Sequence, residues 1–134
     1  MNSKEIEKYR WDTINRMDGD LGKYKYFVTF TFRDRINDVN DGWKVLRNFI
    51  EDIKDRYDLK GWIVSERHKD DKLHYHSLIW NVDDGFREYI IEYWLSKYGY
   101  CWIEEFDGNR KVIQYMVKNL GHRECEIYNW DIIK

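Results

Sequence analysis

Two histidines separated by one residue, His74 and His76, lie in a run that is otherwise typical of a buried strand, residues 72–80. Side chains at positions i and i+2 of a strand share one face of the sheet, so the two imidazoles project together while Tyr75 projects to the other face. Two imidazoles held this close form half of a metal site. The alternative interpretation is a pair of polar residues on a solvated sheet face.

A carboxylate is expected beside these imidazoles. The charged residues 67–71 are typical of a hairpin turn, and this turn would bring Glu66 next to His74 and His76 as a third ligand. Such a set suits a first-row divalent ion and leaves positions open for water or phosphate oxygens. Mixed nitrogen and oxygen ligands favour Mn or Zn, whereas Mg is abundant but prefers oxygen, so the residues leave the metal open. The alternative for Glu66 is an ion pair with Arg67 or a neighbouring lysine.

The last predicted helix, residues 110–120, carries the second candidate for chemistry. Its apolar residues form one stripe at about 100° per residue, and Tyr115 and Lys118 fall together on the opposite side. A free phenol has a pKa of about 10, so its use as a nucleophile near neutral pH carries a penalty of roughly 4 kcal/mol. A cation three residues away could offset part of this penalty, and a metal ion could polarise a reacting phosphate. Without a metal site, the two residues would be a solvated Tyr-Lys pair.

The composition predicts one globular domain spanning residues 1–134. Hydrophobic residues make up 43% of the chain and aromatic residues 18%, which is enough for a real core. The formal net charge of -2 argues against a protein that coats nucleic acid along its whole surface, but it is compatible with a local basic groove.

Two cysteines, Cys101 and Cys125, are the only ones in the sequence. The N-terminus does not resemble a signal peptide, and no apolar run approaches twenty residues. These features predict a soluble protein of a reducing compartment with no membrane contact. A disulfide between the two cysteines is the alternative.

The hydrophobic pattern predicts eight elements. They are a helix at 3–17, a strand at 24–33, a helix at 43–57, strands at 62–67 and from 73, a helix capped at 83–84 and ended by Gly99, a strand at 100–106, and a helix at 110–120. The middle of this order, β-α-β-β-α-β, predicts an α+β, ferredoxin-like antiparallel sheet with helices on one face and the C-terminal helix on the other. The tail after residue 121 is too apolar to be loose.

Three features in this order resemble the HUH superfamily of single-strand DNA nickases. They are the strand Phe-Val-Thr-Phe-Thr at 27–31, Glu66 followed by His74-Tyr75-His76, and Tyr115-x-x-Lys118. The closest resemblance is to the single-tyrosine rolling-circle replication initiator (Rep) proteins of plasmids, phages and small archaeal viruses. The three motifs span most of the chain.

The resemblance implies a metal-dependent enzyme that nicks and joins single-stranded DNA. Tyr115 would attack the scissile phosphodiester and form a 5′-phosphotyrosyl link, leaving a free 3′-hydroxyl that primes replication. Lys118 would be its electrostatic partner, and His74, His76 and Glu66 would hold Mn or Mg, with Zn as a further candidate. Attack by a 3′-hydroxyl on the covalent link would reseal the DNA without ATP.

The resemblance also implies partners. The substrate would be single-stranded DNA, including a hairpin origin, in the cytoplasm of a prokaryotic host cell. Lys118 occupies the position at which some relatives carry a second tyrosine, so strand transfer that needs two nucleophiles would require a homodimer. The chain lacks the Gly-x-x-x-x-Gly-Lys pattern of a helicase, so unwinding would come from a host or separate helicase or from an extruded hairpin.

Several residues are candidates for DNA contact. Thr29 and Thr31 match the first motif and would line the DNA face, and Phe27 could stack on unpaired bases. Cations near the first strand and the last helix could neutralise phosphates: Lys23, Lys25, Arg33, Arg35, Arg110, Lys111, Lys118, His122 and Arg123. Acidic residues gather elsewhere, at Asp83, Asp84, Glu88, Glu104 and Glu105. His68 and His122 are expected at the surface, although either could approach the site.

Two other functions remain compatible with the pattern. A single-tyrosine transposase of the same superfamily would use the same metal and tyrosine, but the Thr29-x-Thr31 strand favours a Rep. An RNA-recognition-like module shares the β-α-β-β-α-β order and would bind nucleic acid without chemistry. The glycines and aromatics expected on the central strand of such a module are missing, and His74 and His76 occupy that kind of position instead.

Overall fold

A computed structural model of the chain describes residues 1–34, 36, 38–68, 72–122 and 124–134. Its helices and strands are α1 (Ser3–Asp18), β1 (Tyr26–Phe30), α2 (Val39–Ile53), β2 (Lys60–Arg67), β3 (Leu73–Trp80), α3 (Phe86–Lys97), β4 (Cys101–Glu105), α4 (Lys111–Val117), β5 (Ile127–Asn129) and α5 (Trp130–Ile133). None of the described helices has the length and apolar character needed to cross a membrane. The tip of the predicted hairpin turn, 69–71, and the predicted cations Arg35 and Arg123 lie outside the described residues.

The five strands form one antiparallel sheet in the order β4-β1-β3-β2-β5. The chain order from β1 to β4 is β-α-β-β-α-β, so the predicted α+β, ferredoxin-like class is confirmed. The register pairs Thr29 with His76 and Glu66 with His74. Directly opposite residues of an antiparallel pair project to the same side, so these four side chains share one face of the sheet.

The opposite face packs against α2 and α3. Tyr26, Val28 and Phe30 alternate along β1 with half-buried residues and are buried in this larger core, as the sequence pattern predicts. The Phe30 ring lies 4.8 Å from that of Trp94, whose indole nitrogen donates a hydrogen bond of 2.7 Å to the Thr31 carbonyl. The indole therefore joins α3 to the end of β1 while filling the core.

The face that carries the histidines is also covered in part, by α1 and α4. A second apolar cluster joins these helices to β2, β3 and β5: Met17, Tyr24, Val64, Leu78, Ile113, Met116, Val117, Leu120 and Ile127. The Arg10 side chain adds a hydrogen bond of 2.9 Å from its Nε to the Leu120 carbonyl. The C-terminal helix lies on the predicted face, and α1 lies beside it.

The tail adds a fifth strand that the sequence pattern did not predict. β5 pairs with β2, where Val64 lies opposite Ile127. Trp130 then turns into the larger core, is fully buried, and donates a hydrogen bond of 2.8 Å to the Ser77 hydroxyl. The prediction that the tail is too apolar to be loose is confirmed.

The buried hydroxyl of Ser65 fastens the segment between α4 and β5 to β2. It donates to the Glu124 carbonyl at 2.7 Å and accepts from the Glu126 amide at 2.9 Å. Arg67 forms a two-pronged ion pair with the Glu124 carboxylate. These contacts fix the chain immediately after the helix that carries Tyr115.

The predicted acidic cap of α3 is wrong. The residue before the helix is Gly85, and no side chain caps its first turn. Asp83 instead accepts a hydrogen bond of 2.9 Å from the Tyr57 hydroxyl, and Asp84 pairs with Lys25 at 2.6 Å. Both carboxylates are therefore engaged by tertiary partners.

Two further expectations change. α4 ends at Val117, and residues 118–121 continue as turns, so the helix is shorter than the predicted 110–120. Gly121 has a φ of +93°, and a β-carbon there would lie 2.8 Å from the Ile6 side chain, which explains the glycine. Cys101 and Cys125 are both free, so the alternative disulfide is not formed.

Replacement of Ser65 by alanine is expected to destabilise the fold by about 1–3 kcal/mol, because it leaves the Glu124 carbonyl and the Glu126 amide without their hydroxyl partner. Chemical denaturation followed by circular dichroism measures the change. Ser96→Ala, an exposed serine on α3, is the matched control and should stay within about 0.5 kcal/mol of the parent. Equal stability of the two variants would contradict the role given to Ser65.

Candidate functional site

The carboxylate of Glu66 lies at the centre of the site. Its Oε2 is 2.8 Å from His76 Nε2, and its Oε1 is 3.2 Å from Lys118 Nζ. The Tyr115 hydroxyl donates to Oε2 at 3.3 Å. One carboxylate on β2 thus joins a histidine of β3 to the tyrosine and the lysine that the sequence singled out.

His76 is held on both sides of its ring. Its Nδ1 lies 3.0 Å from the Thr29 hydroxyl, and its ring stacks on that of Phe27 with centroids 5.8 Å apart. The side chain is buried, with 5% of the residue exposed. Because Thr29 occupies Nδ1, the remaining nitrogen, Nε2, is directed at Glu66. An outer hydrogen bond of this kind fixes the orientation of a metal-binding imidazole.

Glu66, His68 and His76 could together hold a metal ion. Each offers one ligand atom, and the three atoms lie within 4.8 Å of one another. His68 Nε2 is 3.8 Å from Glu66 Oε2 and is buried without a hydrogen-bond partner among the described residues. An imidazole nitrogen with unused capacity beside a carboxylate is what a divalent cation site requires.

The third predicted ligand, His74, lies next to this group. Its ring centroid is 3.9 Å from that of His68 and 6.4 Å from that of His76. The structure therefore brings together two of the three predicted ligands, Glu66 and His76, and adds His68, which sequence reasoning expected at the surface. The signal that could have identified His68 is its spacing from Glu66, because residues two apart in extended chain share a face.

α4 presents the two remaining candidates. Its apolar residues are buried in the second cluster, and Tyr115 lies on the other side with 38% of its surface exposed, as predicted. Lys118 Nζ is 3.9 Å from the centroid of the Tyr115 ring, and the His76 ring is 5.4 Å from it. The phenol is therefore held between a cation and the histidine of the candidate metal group.

The electrostatics of the site centre on Glu66. Hydrogen bonding from His76, together with the charge of Lys118, lowers the pKa of the Glu66 carboxyl to about 2, so the group is ionised at neutral pH. Burial raises the pKa of Tyr115, and the nearby charge of Glu66 and its hydrogen bond add to that rise. This direction is opposite to the expectation that Lys118 would favour the phenolate, because Lys118 pairs with Glu66.

The predicted DNA contacts lie in several surroundings. Thr31 is buried, and its hydroxyl both donates to the Tyr100 carbonyl at 2.9 Å and accepts from the Tyr100 amide at 3.3 Å. The Lys25 ammonium donates to Asp84, and the Arg33 guanidinium donates to the Leu95 carbonyl at 3.2 Å. In these three, the polar group meets another part of the protein.

Other predicted contacts are closer to solvent. Lys111 is exposed in the first turn of α4, and His122 is exposed in the turn that follows the helix. Phe27 is half-buried because it packs on His76 and on the second apolar cluster. Arg110 lies 3.7 Å from Asp18, and Lys23 lies 3.3 Å from Asp20.

A groove of about 400 Å³ between α1 and α4 reaches the site at Lys118. Its walls include Arg10 and the exposed ring of Trp11. A larger groove, of about 600 Å³, lies between α1 and β5 and includes none of the candidate site residues. The chemistry therefore lies beside the smaller groove.

Comparison with known proteins gives a family. A family model described as a replication-associated protein, ORF2, matches residues 25–124, about three quarters of the 134-residue chain. The matched stretch begins just before β1, ends after α4 and contains the whole candidate site. No curated protein and no solved structure matches the chain.

The geometry predicts that His68 contributes more to metal binding than His74 does. Titration of Mn²⁺ into the purified protein, followed by calorimetry, should show at least about 10-fold weaker binding for His76→Ala and His68→Ala, because each loses a ligand. The exposed His122, changed to alanine, is the control and should leave the affinity unchanged. A larger loss for His74→Ala than for His68→Ala would favour the ligand set expected from the resemblance.

Proposed function

The chain belongs to the ORF2 family of replication-associated proteins, and from this premise we propose that it initiates replication by nicking and rejoining single-stranded DNA. Family membership fits a role in replication initiation. The proposal adds the chemistry, which is attack by a tyrosine on a phosphodiester assisted by a divalent metal ion. The observation that carries it is the shared carboxylate of Glu66, which contacts His76, Lys118 and Tyr115 at once.

Tyr115 is proposed as the nucleophile. Its oxygen would form a bond to phosphorus while the bond from phosphorus to the 3′-oxygen breaks, and the product would be a 5′-phosphotyrosyl link with a free 3′-hydroxyl. The phenol donates its hydrogen to Glu66 Oε2, which gives the proton a path away from the attacking oxygen. Because the pKa of Glu66 is about 2, the carboxylate would pass this proton to solvent. The departing 3′-oxygen would take a proton from water.

Lys118 has two tasks in this scheme. Its ammonium lies against the face of the Tyr115 ring, so it would stabilise negative charge that develops on the phenol oxygen. The same ammonium would attract the oxygens of a phosphate that approaches Tyr115. An exposed position at the mouth of the groove between α1 and α4 supports this second task.

The residues present suit a metal ion. Glu66 and His76 would hold it, with His68 as the third ligand by geometry or His74 by resemblance. A divalent ion, Mn or Mg with Zn as a further candidate, would act as a Lewis acid on the scissile phosphate. Thr29 would keep His76 Nε2 directed at the site through the hydrogen bond at Nδ1.

The charge balance of the site supports an anionic substrate. Glu66 supplies one negative charge, whereas Lys118 and a divalent ion would supply three positive charges. Neutral imidazoles do not change this sum. A phosphodiester would offset part of the excess, and DNA would bind there more strongly when the metal is bound.

The partners of the reaction follow from one tyrosine per subunit. Nicking needs a single Tyr115, whereas strand transfer that uses two nucleophiles needs a homodimer. Duplex DNA would have to be opened by a host or separate helicase or presented as a hairpin, because the proposed chemistry acts on an unpaired strand.

Replacement of Tyr115 by phenylalanine tests the nucleophile. The variant keeps the ring beside His76 and Lys118 but lacks the attacking oxygen, so covalent protein-DNA adducts should fall by at least about 100-fold. The measurement is incubation with labelled single-stranded oligonucleotides from a candidate origin and Mn²⁺, followed by a denaturing gel. Tyr9→Phe, which alters an exposed tyrosine of α1, should leave the adduct unchanged.

The outcomes separate the functions. An adduct that disappears with chelator and in Tyr115→Phe supports the nickase, and cleavage that persists in this variant would place the nucleophile elsewhere, with Tyr128 tested next. Binding without cleavage on every origin or element end would favour the non-catalytic module. Cleavage at the ends of a mobile element, and at no origin, would favour the transposase.

A further inference from the structure

Two large aromatic side chains lie side by side at the edge of the sheet, close to the candidate site. Tyr100 and Trp102 are each 58% exposed, and their ring centroids are 6.1 Å apart. Trp102 belongs to β4, the last strand on that side of the sheet, and Tyr100 directly precedes it. Neither residue has a role in the catalytic scheme given above.

The strand register puts these rings on the face that carries the site. Trp102 lies opposite Thr29, and Thr29 lies opposite His76, so the three side chains form one row across β4, β1 and β3. Adjacent strands are about 4.8 Å apart, so the row spans about 10 Å from Trp102 to His76. Both the amide and the carbonyl of Tyr100 bond to the Thr31 hydroxyl, which fixes the second ring beside the first.

Burial along this row shows where a substrate can approach. On the β2 side of His76 the next residue, Val64, is fully covered by the second apolar cluster. On the other side, Thr29 is half-buried and Trp102 is exposed. Within the part of the chain that the structure describes, the row is therefore open toward β4, and a strand of nucleic acid that reaches His76 along it must pass Trp102.

The core does not account for aromatic residues at these two positions. Cys101 and Ile103 alternate with them and fill the core, so Tyr100 and Trp102 must face outward whatever their type. Outward positions of a strand are normally polar, and neighbouring exposed aromatics mark an interaction surface. Rings of this kind stack on unpaired bases of any sequence.

Charge gives the path a direction. Glu104 and Glu105 are exposed at the far end of β4 and would repel a phosphate backbone there. At the other end Arg33 is exposed, and its amide donates a hydrogen bond of 2.6 Å to the Tyr98 carbonyl, two residues before Tyr100. An unpaired strand is thus favoured to leave the site over Trp102 and Tyr100 toward Arg33.

We propose that Tyr100 and Trp102 form a stacking platform for unpaired bases of the DNA strand that adjoins the scissile phosphate. The proposal rests on the proposed function for the identity of the ligand. It adds to it a binding subsite at the β4 edge, about two strand spacings from the metal group.

The test compares two ligands that carry the same phosphates. Fluorescence anisotropy measures the binding of an oligothymidylate of about 20 nucleotides and of an abasic strand of the same length, which has no bases to stack. The parent protein is Tyr115→Phe, so that no strand is cut. It should bind oligothymidylate more tightly, and Trp102→Ala and Tyr100→Ala should each weaken that binding by about 5-fold or more while leaving the abasic strand nearly unaffected.

Control variants separate stacking from folding. Trp102→Phe keeps an aromatic ring and should retain most of the affinity that Trp102→Ala loses. Tyr9→Ala removes an exposed ring from α1 and should bind oligothymidylate as the parent does. Thermal denaturation of each variant shows whether it is folded.

The platform is overturned if the parent does not distinguish the two strands, or if both alanine variants bind oligothymidylate as tightly as the parent. It is also overturned if Trp102→Ala changes the molar mass measured by light scattering and leaves DNA affinity intact, because a second copy would then cover this edge. Platform-dependent binding without nicking at any origin or element end would defeat the proposed function alone. Nicking by a protein whose DNA binding ignores Tyr100 and Trp102 would defeat the platform alone.

Discussion

The hydrogen bond between Glu66 and His76 is the interaction on which the site depends. It joins the two strands of the hairpin on the face that carries the histidines, and the same carboxylate accepts contacts from α4 through Lys118 and Tyr115. A partly buried carboxylate needs such partners to remain ionised, because burial alone would favour its neutral form. The position of the helix relative to the sheet and the charge state of the site are therefore set together.

Much of this arrangement could be predicted because it depends on local periodicity. Alternation along β1 assigns Thr29 to the face opposite Phe30, and the 3.6-residue period of α4 separates Tyr115 from its buried stripe. The hairpin register that sets Glu66 beside His74 also follows from the sequence, since strands joined by a short turn pair with each other. The fold class depends on the order of the elements alone, and it is confirmed.

The remaining features depend on contacts between residues that are distant in sequence. β5 has three residues and exists because β2 offers it an edge, so no local pattern identifies it. The cap predicted for α3 is wrong because Tyr57 and Lys25, both remote in the chain, engage its carboxylates. The exchange of His74 for His68 in the Glu/His/His group likewise reflects where the hairpin leads its rings, which residue spacing leaves open.

α4 shows how far the candidate nucleophile depends on tertiary structure. A helix of seven residues is too short to be stable by itself in water, so packing must hold it. One side of that packing is the second apolar cluster, and the other is the fastening of the following segment by Ser65 and Arg67. Both sets of contacts come from the sheet strand that also carries Glu66 or from its neighbours. The tyrosine, its lysine and the candidate metal group are thus positioned by one rigid element, and this is the preorganisation that phosphoryl transfer requires.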